Sequence, residues 1–253
     1  MTRPDPSASG PPSRRALLLT AGGLAAASGG FAAGFGAEYA LDSRSAPDSL
    51  EVLRVPTPGE DLMTEHGLLI RILLIYRHML ADQSSGRPVP AGRAHDSALI
   101  IHDYIEAFHE ELEEAYVFQR LVQAGRLKPT VSTLFLQHAR GRELTQLILA
   151  ESGGSGSLPA AAADRVAGAM GAFVRMYEPH EAREDTVVYP AFRALLQPTE
   201  IADLGGRFAE LQDEQFGSDG FTAMVGRVAA IEQELGIYDL AQFTPPSIAP
   251  SAA

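Results

Sequence analysis

The placement of four histidines constrains this chain more than any other feature. His66, His109, His138 and His180 each fall on the apolar stripe of a separate helical segment. The first stripe is Leu62, His66, Leu69, Leu73, Tyr76 and Leu80. The second is Ala98, His102, Ile105, His109, Leu112 and Tyr116. The third is Val131, Leu134, His138, Gly141, Thr145 and Ile148. The fourth is Val166, Met170, Phe173, Tyr177, His180, Glu184, Val187 and Ala191. Alternating three- and four-residue steps keep one helix face inward. Turn-forming residues separate the stripes at 84–88, at Gly125 with Pro129, and at 152–157, and Pro190 and Pro198 close the fourth. The pattern predicts an all-α fold, an antiparallel four-helix bundle with short loops. Additional C-terminal helices are expected from about Glu200 to Gln215 and from Phe221 to Leu235, packed on the bundle.

One core histidine is ordinarily a satisfied structural residue. Four of them, one per helix, are a different problem. Each buried polar group left unpaired costs about 1–3 kcal/mol, and a domain's net stability is only about 5–15 kcal/mol. A shared cation compensates all four. Two carboxylates strengthen this reading. Glu113 follows His109 by four residues, and Glu184 follows His180 by four, so each pair projects from the same helix face about one turn apart. The chain has no Cys, which removes thiolate sites, disulfides and a cysteine nucleophile. Mixed imidazole and carboxylate donors suit iron, manganese or zinc. Two carboxylates can bridge two metals in a bundle core, with imidazoles in the outer positions.

The segments Leu62-Met63-Thr64-Glu65-His66-Gly67, Phe108-His109-Glu110-Glu111-Leu112-Glu113-Glu114, Gln137-His138-Ala139-Arg140 and Pro179-His180-Glu181-Ala182-Arg183-Glu184-Asp185-Thr186-Val187-Val188-Tyr189-Pro190 resemble the hemerythrin-like HHE cation-binding family. The resemblance covers roughly residues 60–195. It implies two non-heme irons with oxo and carboxylate bridges; zinc or manganese fits the resemblance less well. His66, His109, His138 and His180 would be terminal ligands, and Glu113 and Glu184 would bridge. Oxygen-carrying members have a second histidine one turn along the third helix. This chain has Arg142 there, and Leu134 one turn the other way. The difference speaks against reversible oxygen carriage and leaves an open coordination position or calls for a substitute ligand. Glu110 is the candidate substitute.

Two further residues are weighed as neighbours of the site. His102 shares the His109 face but lies about 10.5 Å along the axis at 1.5 Å per residue, too far for the same ion. It is a candidate for a pocket role or a structural histidine. Tyr177, one turn before His180, is placed to hydrogen-bond near the site or to pack in the core. His95 and His78 read as surface residues. Pro179, inside a helical run, removes a hydrogen bond. It either kinks the helix and aims His180 or divides the run into two shorter helices.

Before the bundle, Arg14 and Arg15 precede a weakly apolar run of Ala, Gly and Leu up to about residue 35. This resembles a twin-arginine export signal. It implies the twin-arginine machinery as a partner and a periplasmic or other extracytoplasmic location, with membrane anchoring if the signal stays uncleaved. The expected organisation is a signal segment 1–37, a lead-in 38–59, the bundle 60–195, a helical extension 196–240 and a tail 241–253.

The formal net charge of −12 argues against a nucleic-acid partner. No phosphate-binding glycine loop or Gly-x-Ser-x-Gly elbow occurs. The resemblance implies a binding or sensing protein for dioxygen, peroxide or nitric oxide. The alternatives are an oxidase, peroxidase or ferroxidase using the same centre, and simple metal binding or storage.

Overall fold

The computed structural model of the chain describes residues 56–154 and 156–247. Arg14, Arg15, the signal segment and most of the lead-in lie outside these residues. Among the described residues the fold is all-α, with six helices and no strand. Helix α1 spans Pro58–Ser84. Helix α2 runs without interruption through Ala91–Ile100, Ile101–His109, Glu110–Leu112, Glu113–Phe118 and Gln119–Gln123. Helix α3 spans Lys128–Ser152. Helix α4 runs through Ala160–Arg183, Glu184–Val188 and Tyr189–Arg193. Helices α5 (Pro198–Phe216) and α6 (Gly220–Glu234) follow, then a 3-10 turn at Leu240–Phe243.

Helices α1 to α4 form the four-helix bundle, each packed on its two neighbours in cyclic order. The α1–α2 and α3–α4 connections meet at one end. There the Ala91 N–H donates to the Gly156 carbonyl at 2.9 Å, and the Leu158 N–H to the Val89 carbonyl at 3.2 Å. Helices α5 and α6 pack on α1 and α2, as an extension of the same core. No helix among the described residues is long and apolar enough to cross a membrane.

Local chemistry sets the helix ends. The Thr57 hydroxyl accepts from the Glu60 N–H at 3.3 Å and the Glu60 carboxylate accepts from the Thr57 N–H at 2.9 Å. This reciprocal cap, with Pro58 in the first turn, starts α1 two residues before the expected Glu60. Leu127 takes the left-handed conformation, φ 51°, and turns the chain into α3. Pro179 neither ends nor divides α4, which passes through it continuously.

The expected stripes hold along α1 and α3 but drift in α2 and α4, and the cause is visible. Segments Ile101–His109, Glu113–Phe118 and Glu184–Val188 are π-helical. The Glu110 N–H donates to the Ile105 carbonyl and the Tyr189 N–H to the Glu184 carbonyl, five residues back in each case. A π turn holds an extra residue, so the inward position advances by one. In α2, Ile101 and Val117 are buried where His102 and Tyr116 were expected. In α4, Val188 and Phe192 replace Val187 and Ala191. The phase shift also explains why α4 runs past Pro190 to Arg193. Proline has no N–H to place, and it falls where the register is already changing.

Candidate metal centre

The four bundle helices bring ligand-type side chains to one buried region. His66 comes from α1, His109 and Glu113 from α2, His138 from α3, and His180 and Glu184 from α4; all six are buried. Each histidine turns its Nε2 inward. His180 Nε2 lies 3.0 Å from Glu184 Oε2, and His66 Nε2 lies 3.5 Å from the same oxygen. His109 Nε2 and His138 Nε2 lie 3.5 and 3.4 Å from Glu113 Oε2. The Nε2 atoms of His138 and His180 face each other at 3.2 Å.

These side chains form two groups with metal-ligating atoms close together. One is Glu113, His138, His180 and Glu184; the other is His66, His109 and Glu113. Glu113 belongs to both. Such buried groups can hold a metal ion, and their own polar atoms show the fit. Glu113 Oε2 and both Glu184 oxygens are buried and make no well-aligned hydrogen bond, although inward imidazole nitrogens face Glu113 Oε2 and Glu184 Oε2. Carboxylate oxygens left so are costly unless a cation satisfies them.

The outer nitrogens are equally ordered. The Nδ1 of His66 pairs with Asp185 Oδ1 at 2.8 Å, and that of His109 with Glu65 Oε2 at 2.9 Å. The Nδ1 of His138 pairs with Glu114 Oε1 at 2.9 Å, and that of His180 with Gln137 Oε1 at 2.9 Å. A proton fixed on Nδ1 leaves the Nε2 lone pair for a metal. Ligating histidines are commonly oriented by such partners. The four contacts close a ring around the bundle. Glu65 on α1 braces α2, Glu114 on α2 braces α3, Gln137 on α3 braces α4, and Asp185 on α4 braces α1. Every brace is the sequence neighbour of a ligand-type residue on its own helix.

Two tyrosines complete the polar core. The Tyr189 hydroxyl donates to Glu113 Oε1 at 2.7 Å and lies 3.1 Å from His66 Nε2. The Tyr177 hydroxyl donates to Glu110 Oε1 at 2.6 Å, and its ring packs against His180 at 5.1 Å. Gly141 makes room for that hydroxyl, since a Cβ there would stand 2.1 Å from it. From Glu65 the network continues outward. The Tyr104 hydroxyl donates to Glu65 Oε1 at 3.0 Å and stands 3.0 Å from the side-chain amide of Gln212 on α5.

Glu110 is buried but faces the outer side of His138, 4.0 Å from its Nδ1. There it pairs with Arg142 at 2.9 Å, and Arg142 also pairs with Glu114 at 2.9 Å. The structure thus groups Glu110 with Glu114 and His138, apart from Glu184 and His180. His102 is not brought to the site. It is half-exposed and pairs with its neighbour Asp103, because the π turn beginning at Ile101 rotates it outward. His95 and His78 are half-buried, outside the cluster.

Burial and charge pull the site's ionisations in opposite directions. Burial alone would raise the Glu184 carboxyl, but His180 and His66 outweigh it and hold the group well below the usual carboxylate range. Burial disfavours charge on His138, yet Glu110, Glu113 and Glu114 push it up to about 10. His66 is raised by Asp185 and Glu184 against the same opposition. Burial lifts Glu110 to about 7 and Glu181 to about 8. Before a cation binds, the raised His66 and His138 therefore favour their protonated forms, which offset the buried Glu184 carboxylate.

Sequence reasoning missed Glu65, Glu114, Gln137, Asp185 and Tyr189 as parts of the site. One signal for four of them was present: an acid or amide flanks a ligand-type residue on every helix.

No family model and no solved structure matches the chain. It is similar to uncharacterized protein Rv1995 of Mycobacterium tuberculosis and uncharacterized protein Mb2018 of Mycobacterium bovis. Each is 47% identical over 200 residues, which span 79% of this chain and 78% of the relative. The chain belongs to the family of these mycobacterial proteins.

Proposed function

We propose that this is a hemerythrin-like, non-heme di-iron protein in a binding or sensing role toward dioxygen, peroxide or nitric oxide. The observation that carries the reading is the pair of ligand groups sharing Glu113. It offers two adjacent cation positions rather than one. Glu184 Oε2, 3.0 Å from one inward nitrogen and 3.5 Å from another, offers the second shared carboxylate. The donor set is nitrogen and oxygen only, suited to iron. Bound iron would supply a reducible centre able to meet small diatomic or peroxidic ligands.

The chain's own residues have defined tasks in this reading. His66, His109, His138 and His180 present Nε2, and their braces fix each ring. Tyr189 holds Glu113 by one oxygen and leaves the other free for metal. Arg142 occupies the third-helix position of the carriers' second imidazole and neutralises Glu110 and Glu114 instead of ligating. This supports sensing or binding over reversible carriage. The Tyr189 phenol, 2.7 Å from Glu113, gives the oxidase or peroxidase alternative its one favourable observation. For the signal segment, we propose export by the twin-arginine route on the Arg14-Arg15 pair.

Metal analysis of the purified full chain, with absorption spectra before and after reduction and oxygen exposure, tests the proposal. Two irons per chain with oxo-bridge charge-transfer bands are expected. A folded protein that takes up no iron under reducing conditions would refute it.

A further inference from the structure

A cavity of about 310 Å³ lies where the start of α1, the end of α4 and the start of α5 converge. Met63, Phe192, Leu196 and Ile201 form apolar walls, and the Tyr189 side chain forms part of the lining. Its charged lining residues are Glu60 and Arg193. They are differently placed. The Glu60 carboxylate is turned to the Thr57 N–H in the helix cap. Arg193 is exposed and its side chain makes no hydrogen bond or ion pair among the described residues. The volume is at the lower end of small-molecule sites, which are mostly apolar with a few orienting polar groups.

We propose that this cavity binds a small monocarboxylate with an aromatic or branched apolar body, its carboxylate paired with Arg193. The apolar walls take the body, and the one uncommitted guanidinium takes the charge. A doubly charged phosphate ester is disfavoured by Glu60 in the same lining. The bound body rests against Tyr189, whose hydroxyl contacts Glu113 and His66. The ligand thus lies one side chain from the metal-binding groups. The inference does not depend on which metal those groups hold.

The test is calorimetric titration and ligand-observed NMR on the folded full chain, with and without metal, using sodium benzoate and neutral benzyl alcohol as probes. Benzoate should bind saturably at one site with a dissociation constant on the order of 1 mM or tighter, as its few atoms allow. Ile201→Trp, which fills the cavity, should weaken binding at least tenfold. Arg193→Gln, a surface change that leaves the core untouched, should weaken benzoate about fivefold or more and leave benzyl alcohol unchanged. Absence of saturable benzoate binding to the folded protein would overturn the proposal. So would an Arg193→Gln protein that binds benzoate as well as the original. Iron content plays no part in these outcomes, so this proposal and the di-iron reading fail separately.

Discussion

Glu65 stands beside one inward histidine in sequence and holds another in space: next to His66 on α1, it pairs with His109 Nδ1 on α2 at 2.9 Å. Its other oxygen accepts from Tyr104. The carboxylate thus fixes the ring and favours Nε2 as the ligating atom. Loss of such a brace commonly lowers metal affinity 10–100-fold. Glu65→Gln should lower affinity within about this range while the helical fold persists, as read by competition with a chromophoric chelator. Unchanged affinity would mean that packing alone orients His109.

Glu184 is the carboxylate with both oxygens buried and no well-aligned hydrogen bond. Metal binding should stabilise the protein through mass action, by about 2.7 kcal/mol at a hundredfold excess over Kd. Thermal melts with and without chelator should show this difference in the original chain and lose it in Glu184→Gln. His138→Ala should lose it too. Retention of the full metal complement by both variants would remove them from the ligand set.

Metal uptake should release protons. His138 is raised to about 10 and His66 is raised as well, yet ligation needs both neutral at Nε2. Apparent affinity should therefore climb as pH rises toward about 10, with proton release seen by titration in buffers of different ionisation enthalpy. For the metal-free protein the sign is opposite. A raised histidine pKa contributes stability that is complete below the unfolded value, about 6.5, and is lost as pH rises toward 10. Metal-free melting temperatures should fall across that window, and metal-loaded ones should fall less.

Gly141→Ala introduces a Cβ 2.1 Å from the Tyr177 hydroxyl. The tyrosine must move, and its 2.6 Å hydrogen bond to Glu110 cannot survive in place. Overpacking of this kind costs about 1–3 kcal/mol, which urea denaturation should detect.

His102→Ala makes the contrast. The half-exposed ring touches Asp103 and not the centre. Stability should change by less than about 0.5 kcal/mol, and metal content should stay the same. A drop in metal content would restore His102 to the site.

These residues mark what can be read from the chain alone. The burial and convergence of the four histidines with Glu113 and Glu184 were legible because a polar residue on an apolar stripe is conspicuous. Their braces were not, because Glu65, Glu114, Gln137 and Asp185 lie one position off the stripe and read as ordinary surface residues. His102 was misplaced for another reason. The π turns insert extra residues into runs whose ideal helical spacing would turn His102 inward, and local sequence gives no sign of that insertion.

The ring of braces has a consequence for how the protein comes together. Each bundle helix carries a ligand-type side chain of the buried cluster and a support for its neighbour's histidine, so no two- or three-helix intermediate contains the full arrangement. Under the proposed function, metal capture would then report completed assembly: a chain that has misdocked one helix loses that helix's donor and also leaves another histidine unguided. Metal occupancy would then be a certificate of correct folding, issued only once the circuit of four helices has closed.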